Sequence, residues 1–178
     1  MTTATATVIT LPASEAQIVD DGYSIKAYKS LASRNGVAYN ANLYHGKTLV
    51  GTIQNEGRGG NTWFSPNSAA ARIDFENWVK ANVEAGTIDG SYDPAELLIE
   101  VLVAEWEFAA LLKRSLGKSY VIGVPHELYG FEFFNYKGRA GATLPIPTTI
   151  ADVPANIVAD AQRDGGKVWG SAGWIAVN

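Results

Sequence analysis

The chain has 178 residues, of which 47% are hydrophobic and 18% are charged, and this composition excludes disordered, collagen-like and coiled-coil proteins. It contains no cysteine, which excludes disulfides, thiolate metal sites and a cysteine nucleophile. The formal net charge of −4 gives no overall attraction to nucleic acid or anionic lipid, so we expect no direct nucleic-acid or membrane binding unless a local patch provides the contact.

The N-terminal residues 1–17 contain neither Lys nor Arg and have only a broken apolar stretch, so they do not fit a secretory signal. We expect residues 1–15 to form a flexible lead, with a short edge strand at Thr7–Thr10 as the alternative. Residues 16–178 are expected to form a single domain. No run approaches the roughly 20 apolar residues that span a bilayer, and we expect a cytoplasmic protein.

The first predicted elements are strands. From Ser24 to Gly51, apolar and polar side chains alternate, and Asn35-Gly36 and His45-Gly46 favour tight turns. These features predict a three-stranded antiparallel meander whose last strand is Lys47–Gln54. The loop that follows, 55–61, has three glycines.

Two central helices follow the loop. The first is predicted between Ser65 and Gly86, because serine followed by proline is typical of a helix start and glycine of a helix end. The second is predicted between Asp93 and Gly117, with Glu96 placed to complete a capping box. Both have an apolar face that requires a core to pack against.

The C-terminal third is expected to return to strands. Tyr120–Val124 and Phe131–Tyr136 are predicted strands, Ile150–Arg163 contains a predicted short helix, and Lys167–Val177 is a predicted closing strand with a kink. The fold class is therefore α+β, with an antiparallel sheet of the N-terminal meander and the C-terminal strands packed against the two central helices.

The glycine-rich loop is the first candidate site. Successive N–H groups around Gly57, Gly59 and Gly60 could form a nest for a phosphate or a carboxylate, with Arg58 as the charged partner. The alternative is a sharp connection in which the glycines meet steric demands. The loop lacks the lysine and hydroxyl of a phosphate-binding P-loop.

Two further residues extend this candidate site. Trp63 could stack on the base of a nucleotide held at the loop. Arg139 lies in a second glycine-flanked loop and would line the same anionic pocket if the two loops meet, whereas a solvated loop charge is its alternative interpretation.

Acidic residues on the second helix form the other candidate site. Glu96, Glu100 and Glu107 share one face and are expected to form a solvated stripe. Glu105 points to the opposite, apolar side, where a buried carboxylate must be paired or protonated. Its functional interpretation is a general acid or base, or a contact for a cationic group of a partner. The alternative is a structural ion pair, or an edge of the helix that faces an oligomer neighbour.

The aromatic residues of 129–136 occupy both faces of their predicted strand. Either this strand is central and buried on both sides, or one aromatic face contacts another molecule. The two histidines, His45 and His126, have no second ligand at helix or hairpin spacing. We therefore expect no metal site, no cofactor and no catalytic residue.

The segment Ala41–Gly60 resembles a module of small proteins from phages, prophages and plasmids to which no activity is attached. In that module a strand, a Gly-Lys turn and a second strand precede an Asn-X-Gly-X-Gly-Gly loop, and Asn55 to Gly60 match that loop. The resemblance covers residues 41–60 alone. It implies a mobile-element origin and an accessory factor that acts by binding.

Two functions follow as expectations. The first is a non-enzymatic protein that inhibits a host protein, such as a defence nuclease, because an acidic surface with aromatic contacts can occupy a basic nucleic-acid channel. The second is a nucleotide-binding protein that uses the glycine loop, as a sponge for a signalling nucleotide rather than as a hydrolase.

Overall fold

The computed structural model describes residues 8–13, 16–126, 130–137 and 143–177. Within these residues the chain has three α-helices and antiparallel sheets, so the predicted α+β class is confirmed. The chain divides into two compact units, residues 1–11 with 16–106 and residues 12–15 with 107–178. The prediction of a flexible lead and a single domain stays a prediction.

The first unit contains two sheets. Strands β1 (Val8–Thr10) and β2 (Gln17–Val19) form an antiparallel pair. The larger sheet has four antiparallel strands in chain order, namely β3 (Tyr23–Ser33), β4 (Gly36–His45), β5 (Thr48–Glu56) and β6 (Trp63–Pro66). The predicted meander is confirmed, and its sheet has one strand more than expected.

The additional strand β6 corrects the predicted start of the first helix. Ser65 and Pro66 belong to β6, and helix α1 (Ala69–Glu84) begins after Ser68, whose side chain accepts a hydrogen bond from the N–H of Ala71. Strand β6 forms because Phe64 pairs with Ile53 of β5. Proline has no backbone N–H, but at the end of an edge strand that N–H is not needed for pairing. Ser65-Pro66 is therefore compatible with a strand end as well as with a helix start.

Helix α2 (Pro94–Ser115) begins and ends as predicted. The Asp93 carboxylate accepts hydrogen bonds from the N–H groups of Ala95 and Glu96, and Gly117 follows the helix with a φ of +79°. Residues 94–106 belong to the first unit and 107–115 to the second. One half of the predicted capping box is present, since the N–H of Glu96 donates to Asp93, and the return bond from the Asp93 N–H to Glu96 stays a prediction. Glu96 Oε1 accepts a hydrogen bond from the N–H of Thr62.

The core of the first unit lies between one face of the four-stranded sheet and the helices. Leu43 and Ile53 of the sheet pack in one cluster with Trp78 of α1 and Leu98 of α2. Asn82 is fully buried in α1, where its side-chain carbonyl accepts the N–H of Val19 at 2.8 Å. The helices therefore cover one face of the sheet, and the other face carries exposed side chains.

The second unit is a four-stranded antiparallel sheet with a helix. Its strand order is β10-β9-β7-β8, and helix α3 (Ala155–Arg163) contributes Ile157 and Ala161 to a cluster with Ile122 and Val168. The strands are β7 (Ser119–His126), β8 (Gly130–Lys137), β9 (Lys167–Gly170) and β10 (Gly173–Ala176). The predicted short helix is confirmed. The predicted single closing strand with a kink is wrong, because the chain reverses between Gly170 and Gly173 and β9 and β10 pair as an antiparallel hairpin.

The aromatic strand β8 lies at the edge of this sheet, so the prediction of a central strand is wrong. Phe131 is buried, and Phe133 stacks on Phe108 at 4.6 Å between ring centroids. On the other face, Tyr136 is half-buried and Phe134 is 41% exposed. Both faces of this edge strand carry aromatic side chains because both are at least partly covered. The aromatic cluster around Phe108 covers one face, and the cluster that includes α3 covers part of the other. Tyr129 lies outside the described residues.

Candidate functional site

The first unit holds most of the predicted site residues. Arg58, Gly59, Gly60, Trp63, Glu96 and Glu100 all belong to it. Glu107 belongs to the second unit, and Arg139 lies outside the described residues, so the expected pairing of two loops stays a prediction.

Thr62 is the point at which the glycine loop is fixed to helix α2. Thr62 is 7% exposed, its N–H donates to Glu96 Oε1 at 2.7 Å, and its hydroxyl donates to Glu100 Oε1 at 2.9 Å. The Tyr39 hydroxyl donates to the same Glu100 oxygen at 2.6 Å, and the Asn55 amide donates to Thr62 Oγ1 at 3.0 Å. We call these five residues the Thr62 clamp.

The helical spacing of the two glutamates explains this geometry. Glu96 and Glu100 are four residues apart, so their side chains lie on the same face of α2 and reach the same threonine. Sequence reasoning placed both in a solvated stripe. Glu100 and Glu107 are exposed, as that interpretation requires, whereas Glu96 is half-buried. The interpretation missed that the Glu96 and Glu100 carboxylates also accept hydrogen bonds from within the chain.

The electrostatics of the Thr62 clamp favour anchoring over proton transfer. Burial, followed by the hydrogen bond to Glu100, raises the pKa of the Tyr39 phenol well above its usual range. The phenol therefore remains a protonated donor at neutral pH. The hydroxyls of Tyr39 and Thr62 both donate to one carboxylate oxygen, which ties strand β4 and the loop to helix α2.

The glycine loop is shaped by contacts with its own neighbours. Gly57 has a φ of +66°, and an added Cβ would overlap the backbone of Ala38. Its N–H donates to the side-chain oxygen of Asn55 at 2.7 Å, and its carbonyl accepts a hydrogen bond from the hydroxyl of Ser33. Because this N–H is occupied, an anion at the loop would be held by the Arg58 side chain rather than by a nest that includes Gly57.

Gly59 and Gly60 have different requirements. Gly59 has a φ of +77°, a conformation that favours glycine, with open space around it. Gly60 has no atom within 4 Å of an added Cβ and no positive φ. The steric interpretation thus accounts for Gly57 and Gly59 but not for Gly60.

An open groove of about 550 Å³ lies on the exposed face of β3, β4 and β5. Asn40 and Gln54 lie along it, Lys29 and Leu31 line it on β3, and Arg58 lines it from the loop. Leu31 is 75% exposed. Glu56 of β5 also lines it and is exposed. The groove therefore combines two cations, one carboxylate, two exposed amides and an apolar side chain on one accessible surface.

One row of side chains crosses the whole sheet at this groove. Lys29 pairs with Asn40, Asn40 with Gln54, and Gln54 with Trp63, so the four side chains share one face. Trp63 is 66% exposed at the β6 end. With neighbouring strands about 4.8 Å apart, the row extends over roughly 14 Å. We call it the Lys29–Trp63 row.

The charge of this sheet is opposite to that of the chain. Residues 23–66 contain five Lys or Arg and a single acidic residue, Glu56, so this segment carries +4 while the chain carries −4. Lys26, Lys29 and Arg58 are exposed within the segment. Counting charge by segment would have found this basic region from the sequence, whereas the net charge concealed it.

The remaining candidate features from the sequence give less support for a functional site. Glu105 is half-buried, so the expectation of a buried carboxylate is wrong. Among the residues that the structure describes, no three His, Asp or Glu residues are placed to hold a metal ion. No helix within the same residues is long and apolar enough to cross a membrane.

Comparison with protein-family models, curated proteins and solved structures found no significant match to this chain. The resemblance of residues 41–60 to a mobile-element module therefore stays a prediction.

The glycines of the loop provide a matched test of its packing. We expect Gly57→Ala to lower the free energy of unfolding by about 2 kcal/mol or more, because the added methyl group meets backbone atoms at a positive φ. Gly60→Ala should change it by less than about 0.5 kcal/mol, since its Cβ enters open space. Urea unfolding of both variants measures this, and equal losses would contradict the described loop.

Proposed function

We propose that this chain is a non-enzymatic binding protein that holds a nucleotide on the exposed face of its four-stranded sheet. Lys29 and Arg58 meet the phosphates, and Trp63 offers a surface on which a base stacks. The observation that carries the proposal is a groove with two cations against one carboxylate, within a +4 segment of a chain whose net charge is −4.

The chemistry of the groove supports binding of an anion. Arginine and lysine form charge-assisted hydrogen bonds with phosphate, which are about twice as strong as neutral ones. Asn40 and Gln54 add amide groups that donate and accept hydrogen bonds, as the edges of bases require. Amides do not transfer protons at neutral pH, so this floor is suited to recognition rather than catalysis.

The Thr62 clamp supports the same interpretation. It commits the polar groups nearest the loop to one another and leaves the exposed Arg58 and Trp63 on either side of the anchored residue. A rigid loop lowers the entropic cost of binding, because its side chains start from a defined backbone position.

Mononucleotides test this proposal. We expect nucleoside triphosphates to raise the melting temperature of the full chain, and Arg58→Ala and Lys29→Ala each to weaken binding by about tenfold through loss of a charge-assisted hydrogen bond. Lys47→Ala is the matched control, because Lys47 is exposed in the turn between β4 and β5 and does not line the groove. Calorimetric titration measures the affinities.

The proposal fails if no nucleotide changes the melting temperature. It also fails if Lys47→Ala weakens binding as much as Arg58→Ala, since binding would then follow total charge rather than the groove.

A second candidate is the inhibition of a host protein by an accessory factor of a mobile element. The supporting observation is Tyr92, which is 78% exposed between the exposed acids Asp89 and Asp93. Acidic and aromatic side chains are neighbours in the sequence there, and this combination suits contact with a basic surface on a partner. Glu96 and Glu100 are less suited to this role because the Thr62 clamp occupies them.

Affinity capture from a bacterial lysate tests the second candidate. A protein retained by the wild type and by Trp63→Ala but lost with Tyr92→Ala would support it, since both variants remove an exposed ring and differ only in location. A protein that Tyr92→Ala retains and Trp63→Ala loses would contradict it and place protein binding at the sheet.

A further inference from the structure

We infer that the exposed face of the four-stranded sheet binds single-stranded nucleic acid, with the strand running across β3 to β6. This inference rests on the proposed function, because it identifies the nucleotide ligand as part of a longer chain. It departs from the expectation, based on net charge, that the protein does not contact nucleic acid directly.

The length of the Lys29–Trp63 row is the first observation. The stacking surface at Trp63 and the cation at Lys29 lie at opposite ends of a row of roughly 14 Å, given a strand spacing of about 4.8 Å. A nucleoside monophosphate, with one sugar between its base and its phosphate, is too short to engage both ends of the row, so a mononucleotide reaches from Trp63 to Lys29 only through its extended triphosphate. At a stacked spacing of about 3.4 Å per nucleotide, a strand of about four nucleotides covers it.

The distribution of charge is the second observation. Segment 23–66 places Lys26, Lys29 and Arg58 at exposed positions, against the single acidic side chain of Glu56. Several cations along one surface fit a polymer with one phosphate per unit better than an isolated phosphate group. Lys26 lies 4.3 Å from the ring centroid of Tyr44, which places its charge over the same sheet.

The side chains between the two ends suit unpaired bases. Asn40 and Gln54 are exposed along the row, and amides can pair with the edges of bases that are not already paired. Trp63 offers a ring face that any base can stack on. A duplex hides its base faces and its Watson–Crick edges, so a single strand is the better partner for a stacking ring on the face of a sheet.

The edge of the sheet is less suited to receive a partner than its face. Strands β3 and β6 are the two edges of the sheet. In β3 the pairing register shifts between Lys26 and Lys29, where Ala27 has a φ of +54°. Bulges and lysines at an edge oppose the addition of a further strand. A peptide that extends the sheet at β3 is therefore disfavoured. The other edge, β6, has only four residues and ends in Pro66, so the face is the better docking surface.

Fluorescence anisotropy with a labelled 12-nucleotide oligothymidylate tests the inference on the full chain. We expect the oligonucleotide to bind at least tenfold more tightly than thymidine triphosphate. Three phosphate contacts predict a slope of log affinity against log salt of about −2, and Arg58→Ala should reduce its magnitude by about 0.7.

Variants of the aromatic surface complete the experiment. Trp63→Ala should weaken oligonucleotide binding by about tenfold, whereas Trp63→Tyr should retain most of it because a tyrosine ring still stacks. Tyr92→Ala is the control for loss of an exposed aromatic ring elsewhere, and it should leave the affinity unchanged. Because both rings are exposed, neither variant should impair folding.

The outcomes separate this inference from the proposed function. Mononucleotide binding that depends on Arg58, with no gain for the oligonucleotide, would overturn the inference and leave the proposed function standing. Absence of binding to both would overturn both. Equal affinity for a duplex of the same length, or displacement of the oligonucleotide by polyglutamate at equal charge concentration, would overturn the inference in favour of a general anion surface.

Discussion

The attachment of Thr62 to helix α2 is the interaction on which the candidate site depends. Glu96 and Glu100 hold the backbone and hydroxyl of Thr62 on the inner side of the sheet. Side chains alternate along a strand, so a buried Thr62 directs Trp63 outward and Phe64 toward the core. A shift of one residue would bury Trp63 and expose Phe64. The Thr62 clamp therefore sets both the register of β6 and the exposure of the stacking surface.

The charges of the first unit are divided between its sheet and its helices. The sheet segment 23–66 is basic, whereas the helical segment 67–106 has eight acidic and two basic residues. Part of this acidity is used internally, because the carboxylates that fix Thr62 belong to α2. Such a separation of charge attracts an anionic ligand to the sheet and repels it from the helices. It therefore directs the ligand to the sheet face and also speeds its association. The net charge of the chain carries none of this information.

Local signals predicted much of the fold, and contacts between distant residues account for what they missed. Turn glycines and the Asp93-Pro94 helix start depend on neighbouring residues, and both were predicted correctly. Ser65-Pro66 was assigned to a helix because pairing with β5, which makes it a strand, leaves no local mark. In the candidate site, Arg58 and Trp63 were recognised from their residue types. Lys29, Asn40 and Gln54 were not recognised, because only the strand register places them in one row. Thr62 was missed because its carboxylate partners lie 34 and 38 residues away.

A double-mutant cycle between Thr62 and Glu100 tests the account most directly. Thr62→Val removes the hydroxyl at nearly constant volume, and Glu100→Gln removes the charge of its acceptor. The free energies of unfolding of the wild type, both single variants and the double variant should give a coupling of about 1 kcal/mol or more, since the residues share one hydrogen-bond network. The same cycle with Glu84→Gln, on a different helix, should be additive within about 0.5 kcal/mol. Additive effects for Thr62 and Glu100 as well would show that the loop is held by other contacts and would contradict the account.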